Sequence, residues 1–262
     1  MPDLKGKRVL VTGASRGVGY GIAKTFAAAG AEVIGAARSA DKLERLRSEI
    51  EAAGGKFSAV PGDLSTREGV RAIVRRCGEI DILINNAAYI TGKWESLLDQ
   101  DDAEWDMEFA VNVVAPITLI KELVPGMVKR GWGRVINISS TAASKPVPLL
   151  VAYSASKAAL EAASQATAID FAPHGVRVNV VELGITDTEA MQDNPFLAGG
   201  LTIEDVGWMS TPIGRVTKVN EVAAVCLFLV SDEADAIAGS IIRVDGGQLA
   251  GQFNYRQGKK PQ

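Results

Sequence analysis

Arg8-Val9-Leu10-Val11-Thr12-Gly13-Ala14-Ser15-Arg16-Gly17-Val18-Gly19 decides how the chain is read. A short apolar run passes straight into three glycines, and these lead into Val18 to Ala29, whose apolar residues recur at helical spacing as far as Gly30. Strand, glycine turn and helix in that order present backbone N–H groups at a helix N-terminus, where an anionic group such as a pyrophosphate is favoured. The spacing G-x-x-x-G-x-G allows both the tight turn and a close backbone approach.

The rhythm continues outward. Glu32 to Ala37 reads as a second strand, followed by a helix from Asp41 to Ala53 that ends at Gly54, and a strand at Phe57 to Val60. Ser65 and Glu68 form a capping box that opens the next helix. Ile80 to Ile84 is a buried strand, Asp102 to Arg130 a long interrupted helix, and Arg134 to Ile138 another strand. Val176 to Val181 and Ser240 to Val244 are the last strands, with the Glu221 to Val230 helix between them. Strands alternating with helices predict an α/β fold: a doubly wound, seven-stranded parallel sheet with helices on both faces. No linker, repeat or composition shift divides the chain, so residues 1–262 read as a single domain. Thr186 to Pro212 breaks the rhythm and carries Met191, Phe196, Leu197, Trp208 and Met209. A long irregular segment of that kind is expected to be a substrate lid.

Composition excludes several classes of function. Hydrophobic residues make up 47% and charged residues 23%, as in a globular protein, and a net charge of −3 offers no field for nucleic acid. No apolar run suggests a membrane span and no signal-peptide core follows Met1, so a cytoplasmic location is expected. Cys77 and Cys226 read as free buried thiols, and His174, the single histidine, as a turn residue. Neither a metal site nor a serine-histidine triad is expected.

Two further patterns carry chemistry. The second strand ends in Ala36-Ala37-Arg38, with no acid to accept from a ribose 2′-OH, and Arg38 together with Arg16 can form a charged fork for a 2′-phosphate. NADP(H) is therefore favoured over NAD(H). Tyr153-Ser154-Ala155-Ser156-Lys157 places a phenol and an ammonium one helical turn apart, and a cation held that close favours an ionised phenol. That is a general acid/base in prospect.

Taken together, Thr12 to Gly19, Asn85-Asn86-Ala87-Ala88, Asn112, Ser140, Tyr153 to Lys157 and Asp245-Gly246-Gly247 resemble, in order and context, the single-domain branch of the short-chain dehydrogenase/reductase family, whose fold is of the Rossmann type. The resemblance spans nearly the whole chain. It implies a hydride-transfer enzyme acting on a ketone or aldehyde and the matching alcohol. By that resemblance Tyr153 is the acid/base, Lys157 lowers its pKa and holds the nicotinamide ribose, Ser140 binds the substrate oxygen, and Asn112 interrupts its helix and holds a water on a proton route. Ser139 would support the strand end. The cofactor would meet Gly13, Ser15, Arg16, Gly17, Val18 and Gly19, then Arg38, Asp63 and Leu64, then Asn86 and Ala87, and finally Tyr153, Lys157, Gly184, Thr186 and Thr188. Asp63 can alternatively cap the helix near Ser65. Leu183 stands where the family usually has proline, and Glu182 where a small residue is common, so the geometry there and the partner of Glu182 are open.

Tyr89, Ile90, Trp94, Val147 and Leu149 suggest mostly apolar walls and a lipophilic or aromatic small-molecule substrate. The alanine-rich faces around Ala155, Ala158, Ala162 and Ala166 can pack on the sheet or on another subunit, and the resemblance implies a homotetramer or homodimer. The tail with Phe253, Tyr255, Lys259 and Lys260 either crosses to a neighbour or frays. A dinucleotide-binding sensor without turnover would be expected to lack the tyrosine or lysine. An extended-branch epimerase needs a larger C-terminal domain, and the enoyl-reducing branch has a longer tyrosine-to-lysine spacing.

Overall fold

The computed structural model of the protein describes residues 2–192, 197 and 200–251. Seven parallel strands form one sheet: β1 (Arg8–Thr12), β2 (Glu32–Ala37), β3 (Lys56–Pro61), β4 (Ile82–Asn85), β5 (Gly133–Ser140), β6 (Val176–Leu183) and, after two short strands described below, β9 (Ile241–Val244). Their spatial order is β3-β2-β1-β4-β5-β6-β9. The order reverses direction between β1 and β4, and the carboxyl ends on either side of such a switch point are where an open α/β sheet binds its ligand.

Helices α1 (Gly17–Ala28), α2 (Ala40–Ala52), α3 (Arg67–Cys77), α4 (Asp102–Phe109) and α5 (Ala115–Arg130) follow the first four strands, and α6 (Thr141–Ser144) and α7 (Val151–Phe171) follow β5. Strand alternation sorts the core onto two faces. Val9 and Val11 of β1 join Ile22, Phe26, Leu43 and Leu46 on one side, while Leu10 between them joins Ile73, Leu119, Leu123 and Val124 on the other. Cys77 and Cys226 are free and buried, as expected. The helical run Asp102–Arg130 is long and apolar enough by composition to cross a bilayer, against the sequence expectation. Its Leu119, Leu123, Val124 and Met127 are instead buried in the core beside the sheet.

Two other expectations change. The cap of α3 is Thr66, whose Oγ1 accepts from Gly69 N at 3.1 Å; Ser65 is drawn away by the Asp63 carboxylate. The region expected to be an irregular lid contains regular structure. β7 (Thr186–Asp187) pairs in parallel with β8 (Thr217–Lys218), and α8 (Glu189–Gln192) and α9 (Ile203–Ser210) lie between them. A reciprocal box of Thr202 and Asp205 caps α9, which buries Val206. Helix α10 (Val219–Leu229) then packs its Val222, Cys226 and Leu227 into the core. Phe196 of the expected lid, and Phe253, Tyr255, Lys259 and Lys260 of the tail, lie outside the described residues.

A ladder of buried polar groups fixes α7 to the sheet. Asn85 Nδ2 donates to Asn137 Oδ1 at 2.8 Å, Asn137 Nδ2 donates to Ser164 Oγ at 2.7 Å, and Ser164 Oγ donates to Leu160 O at 2.6 Å. These side chains have no water to fall back on, so each bond carries the desolvation cost of its partners. Asn137→Ala should therefore lower the unfolding free energy by about 2–3 kcal/mol, measured by urea denaturation, because it strands the Asn85 amide donor on β4 and an acceptor lone pair of Ser164 on α7.

Candidate active site

The glycine turn is shaped by what crosses it. Gly13 (φ 67) and Gly17 (φ 57) adopt left-handed backbone, and a Cβ on Gly19 would stand 2.4 Å from Asn86 Nδ2 and 2.5 Å from Gly13 O. Asn86 Nδ2 donates to Thr12 O at 2.9 Å. Thr12 Oγ1 in turn accepts from the backbone N–H groups of Asn86 (3.0 Å) and Ala87 (3.1 Å). The ends of β1 and β4 are thus latched together under an open cradle. Ser15 and Val18 lie in the same turn, and the Thr188 methyl reaches within 3.5 Å of where a Gly17 side chain would be.

Arg16 and Arg38 are both exposed, and neither forms an ion pair among the described residues. Asp63 is also exposed, with both carboxylate oxygens on Ser65: its N–H at 3.0 Å and its hydroxyl at 2.8 Å. Those bonds, with the Arg38 charge, hold the Asp63 carboxyl below its ordinary range. Leu64 beside it is buried. Opposite, Gly184 donates its N–H to Val244 O at 3.0 Å, and Thr186 Oγ1 donates to Gly184 O at 3.1 Å. A Cβ on Gly184 would meet the Asp245 backbone at 2.7 Å. Glycines without room for a side chain, free guanidiniums and a helix N-terminus are a donor set that fits a dinucleotide phosphate.

Ser140 ends β5 and caps α6, its Oγ accepting from Ala142 N at 3.2 Å, and its hydroxyl is near enough to the Tyr153 phenol to lower that group's pKa. Lys157 is 2% exposed; its Nζ donates to Ile138 O at 3.0 Å and lies 5.8 Å from the centre of the Tyr153 ring. Burial pulls the ammonium down to about 8, opposed by the charges of Glu161 and Glu108. The phenol moves the other way from the sequence expectation. Burial pushes the Tyr153 pKa up and the Glu108 charge adds to that, while the nearby Ser140 hydroxyl lowers it. In the chain alone the ammonium is directed to a carbonyl of β5, so it does little for the ring.

Asn112 occupies a π-helical turn, Ala110–Val114, between α4 and α5. Such single turns recur at functional positions. Its Oδ1 accepts from Tyr89 N at 2.8 Å, and its Nδ2 donates to Tyr89 O at 2.9 Å and to Ser156 Oγ at 3.0 Å. The carboxamide therefore clasps the segment after β4 to α7 at the level of Tyr153 and Lys157.

The family model described as short chain dehydrogenase matches residues 7–195. The chain belongs to the short chain dehydrogenase family. It is 34% identical to gluconate 5-dehydrogenase of Gluconobacter oxydans, covering 94% of this chain and 95% of that one. The crystal structure of L-sorbose reductase from Gluconobacter frateurii, complexed with NADPH and L-sorbose, superposes with a TM-score of 0.86 at 33% identity over 95% of this chain and 98% of that one. A 3-oxoacyl (acyl-carrier-protein) reductase from Agrobacterium tumefaciens with NADP bound gives 0.87 at 30%, covering 93% and 94%. The chain is accordingly an oxidoreductase of this family, whose named relatives are dehydrogenases and reductases.

Within this short chain dehydrogenase the open question at the end of β6 is resolved. Glu182 is buried and accepts from Arg243 Nε at 2.6 Å, its register neighbour on β9. Leu183, which has the N–H that proline lacks, lets β6 run on to pair with Val244 and Ser140. Sequence reasoning passed over Glu108, a buried carboxylate one turn before Asn112. That spacing was the signal available. It also missed the backbone of Leu149, at φ 68 the one non-glycine residue in left-handed conformation among the described residues. Leu149 O accepts from Glu95 N at 3.3 Å and Gln100 Nε2 at 3.4 Å, stitching the 91–101 segment to the entry of α7.

The Lys157 value sets a pH signature. Its folded pKa of about 8 lies below the ordinary 10.5, so between those values the unfolded chain holds a proton that the folded chain has released, and stability rises with pH through that window. Lys157→Met removes the buried charge. Relative to this variant, thermal melts should show the wild type at its greatest disadvantage below pH 8, on the order of 3 kcal/mol, and recovering as pH climbs towards 10.5.

Proposed function

We propose that the chain interconverts a ketone or aldehyde with the matching alcohol, with NADP(H) as hydride partner and Tyr153 as acid/base. The observation that carries this reading is the Tyr153 phenol beside the Ser140 hydroxyl, with the buried Lys157 ammonium one turn away, at the same end of the sheet as the glycine cradle. A reduced nicotinamide bound there supplies the hydride. Ser140 holds the substrate oxygen. Tyr153 gives that oxygen a proton in reduction and takes one from the alcohol in oxidation. Lys157, turned from Ile138 O, holds the nicotinamide ribose and favours the phenolate once its charge reaches the ring. Asn112 keeps α7 in register with the segment after β4.

The Arg16 and Arg38 guanidiniums, without an ion pair among the described residues, and the absence of an acid at Ala37 support NADP(H) over NAD(H). Gly13, Gly17 and Gly19 admit the pyrophosphate, Asp63 and Leu64 flank the adenine, Asn86 and Ala87 line the cleft, and Gly184, Thr186 and Thr188 meet the nicotinamide amide. For the substrate, exposed Ile90, and exposed Leu149 in the cavity it shares with Tyr153, support a lipophilic or aromatic carbonyl. The relatives named for gluconate and L-sorbose support a polyhydroxylated one instead. Exposed Met107 and Ile169 on α4 and α7 support self-association through those helices into a homodimer or homotetramer.

NADPH oxidation across L-sorbose, ethyl acetoacetate and an aromatic diketone separates the substrate readings: preference for the diketone supports the lipophilic one, preference for L-sorbose the other. Tyr153→Phe should cut kcat by about 10²–10⁴ while leaving the NADPH Kd unchanged, and near-native turnover would remove the tyrosine from its role. Arg38→Glu should weaken NADPH binding by about 10-fold or more and leave NADH binding intact, read by fluorescence titration; equal losses with both cofactors would sink the fork at the 2′-phosphate.

A further inference from the structure

We propose that Glu108 is a proton-relay group behind Tyr153, exchanging protons with the phenol across a cavity the size of one water molecule. This rests on the acid/base role assigned to Tyr153 above. Glu108 is 2% exposed near the end of α4. Its Oε1 accepts from Thr91 N at 3.2 Å, whereas its Oε2 is fully buried and accepts no hydrogen bond from the described residues. A carboxylate oxygen in that setting is costly unless it carries a proton or meets a donor. Glu108 and Tyr153 both line a cavity of about 10 Å³, together with Gln100, Trp105, Leu149 and Leu150. That is close to the smallest volume that admits a water, and the polar groups around it supply the partners a water needs.

The surrounding charges favour a proton at this position. Burial pushes the Glu108 carboxyl above its ordinary range and Glu104, on its own helix, adds to the shift; the Thr91 bond and the Lys157 charge oppose it. Tyr153 and Lys157 approach from α7, and Lys93 and Glu95 from the segment after β4 line the same cavity. Lys93 Nζ pairs with Glu104 at 2.7 Å and is half exposed, so the outer end of the path reaches solvent. In reduction, hydride adds to the carbonyl carbon and the Tyr153 O–H proton passes to the carbonyl oxygen. The phenolate left behind takes a proton from the Glu108 carboxyl through the cavity, and the Glu108 carboxylate takes one from solvent on the Glu104 side. Oxidation runs the same transfers backwards, so one proton and one hydride are accounted for in each direction. This path leaves the site through α4, separately from Asn112.

Glu108→Gln keeps the size and the acceptor for Thr91 but carries no exchangeable acid. The first readout needs no substrate: the tyrosinate absorbance change with pH, taken as the difference between chains with and without Tyr153→Phe, reports the Tyr153 midpoint. It should fall in Glu108→Gln because the charge that raises it is gone, whereas a glutamate too remote from the phenol to exchange protons with it would leave it in place. The second readout is NADPH oxidation with L-sorbose and with ethyl acetoacetate. In Glu108→Gln, kcat should drop about 10-fold with both KM values unchanged, and the lost rate should return as imidazole buffer is raised, to which the wild type should be indifferent. Glu108→Asp, which restores the acid, should need no imidazole. An unmoved Tyr153 midpoint, or native turnover without buffer dependence in Glu108→Gln while Tyr153→Phe is inactive, overturns the relay and leaves the acid/base role standing. Near-native turnover in Tyr153→Phe overturns both. If the wild type turns over neither probe, or Glu108→Gln does not fold, the Tyr153 midpoint in Glu108→Asp, expected at its wild-type position, decides; a shift there overturns the relay.

Discussion

One ammonium buried against the backbone constrains the rest of the site. Lys157 sits in the interior with a single hydrogen bond, to Ile138 O, and no carboxylate within ion-pair distance among the described residues. Taking a charge out of water on those terms is costly, and the cost shows as a pKa drawn down to about 8. The arrangement holds because β5 and α7 cannot drift apart. The Asn85–Asn137–Ser164 ladder ties the strands to the helix two turns beyond the lysine, and Asn112 with Ser156 ties it on the other side. Tyr153 and Ser140 inherit their positions from the same two elements.

The field around the lysine is built from second-row carboxylates that do not touch it. Glu108 on α4 and Glu161 one turn further along α7 both favour its charged form, and both have their own carboxyls raised by burial. Glu182 adds to the shift on Glu161 and is itself offset by Arg243 across the strand pair. Charge near the tyrosine is thus spread over several partly compensated groups.

How much of this was legible in the sequence depended on whether a residue's job is local. The glycine turn, the strand-helix alternation and the seven-stranded sheet were readable because the spacing of Gly13, Gly17 and Gly19 and the period of the apolar residues are set by backbone geometry. The Ser140, Tyr153 and Lys157 group was found through its order along the chain, and the structure brings those residues together. The misreadings were competitions that spacing cannot rank. Ser65 and Thr66 are both good caps, and Asp63 took the first, leaving Thr66 for α3. The phenol was read from its distance to a cation along a helix, but desolvation and Glu108 outweigh a lysine aimed at Ile138 O. Glu108 and the left-handed Leu149 were invisible because their significance lies in what packs on them.

The most direct test is a crystal structure of the chain with NADPH. The account predicts the 2′-phosphate between the Arg16 and Arg38 guanidiniums, and Lys157 Nζ moved from Ile138 O to within about 3 Å of the nicotinamide ribose hydroxyls, close enough to the phenol to reverse its shift. A bound dinucleotide whose ribose lies out of reach of Lys157, with Nζ still on Ile138 O, would contradict it.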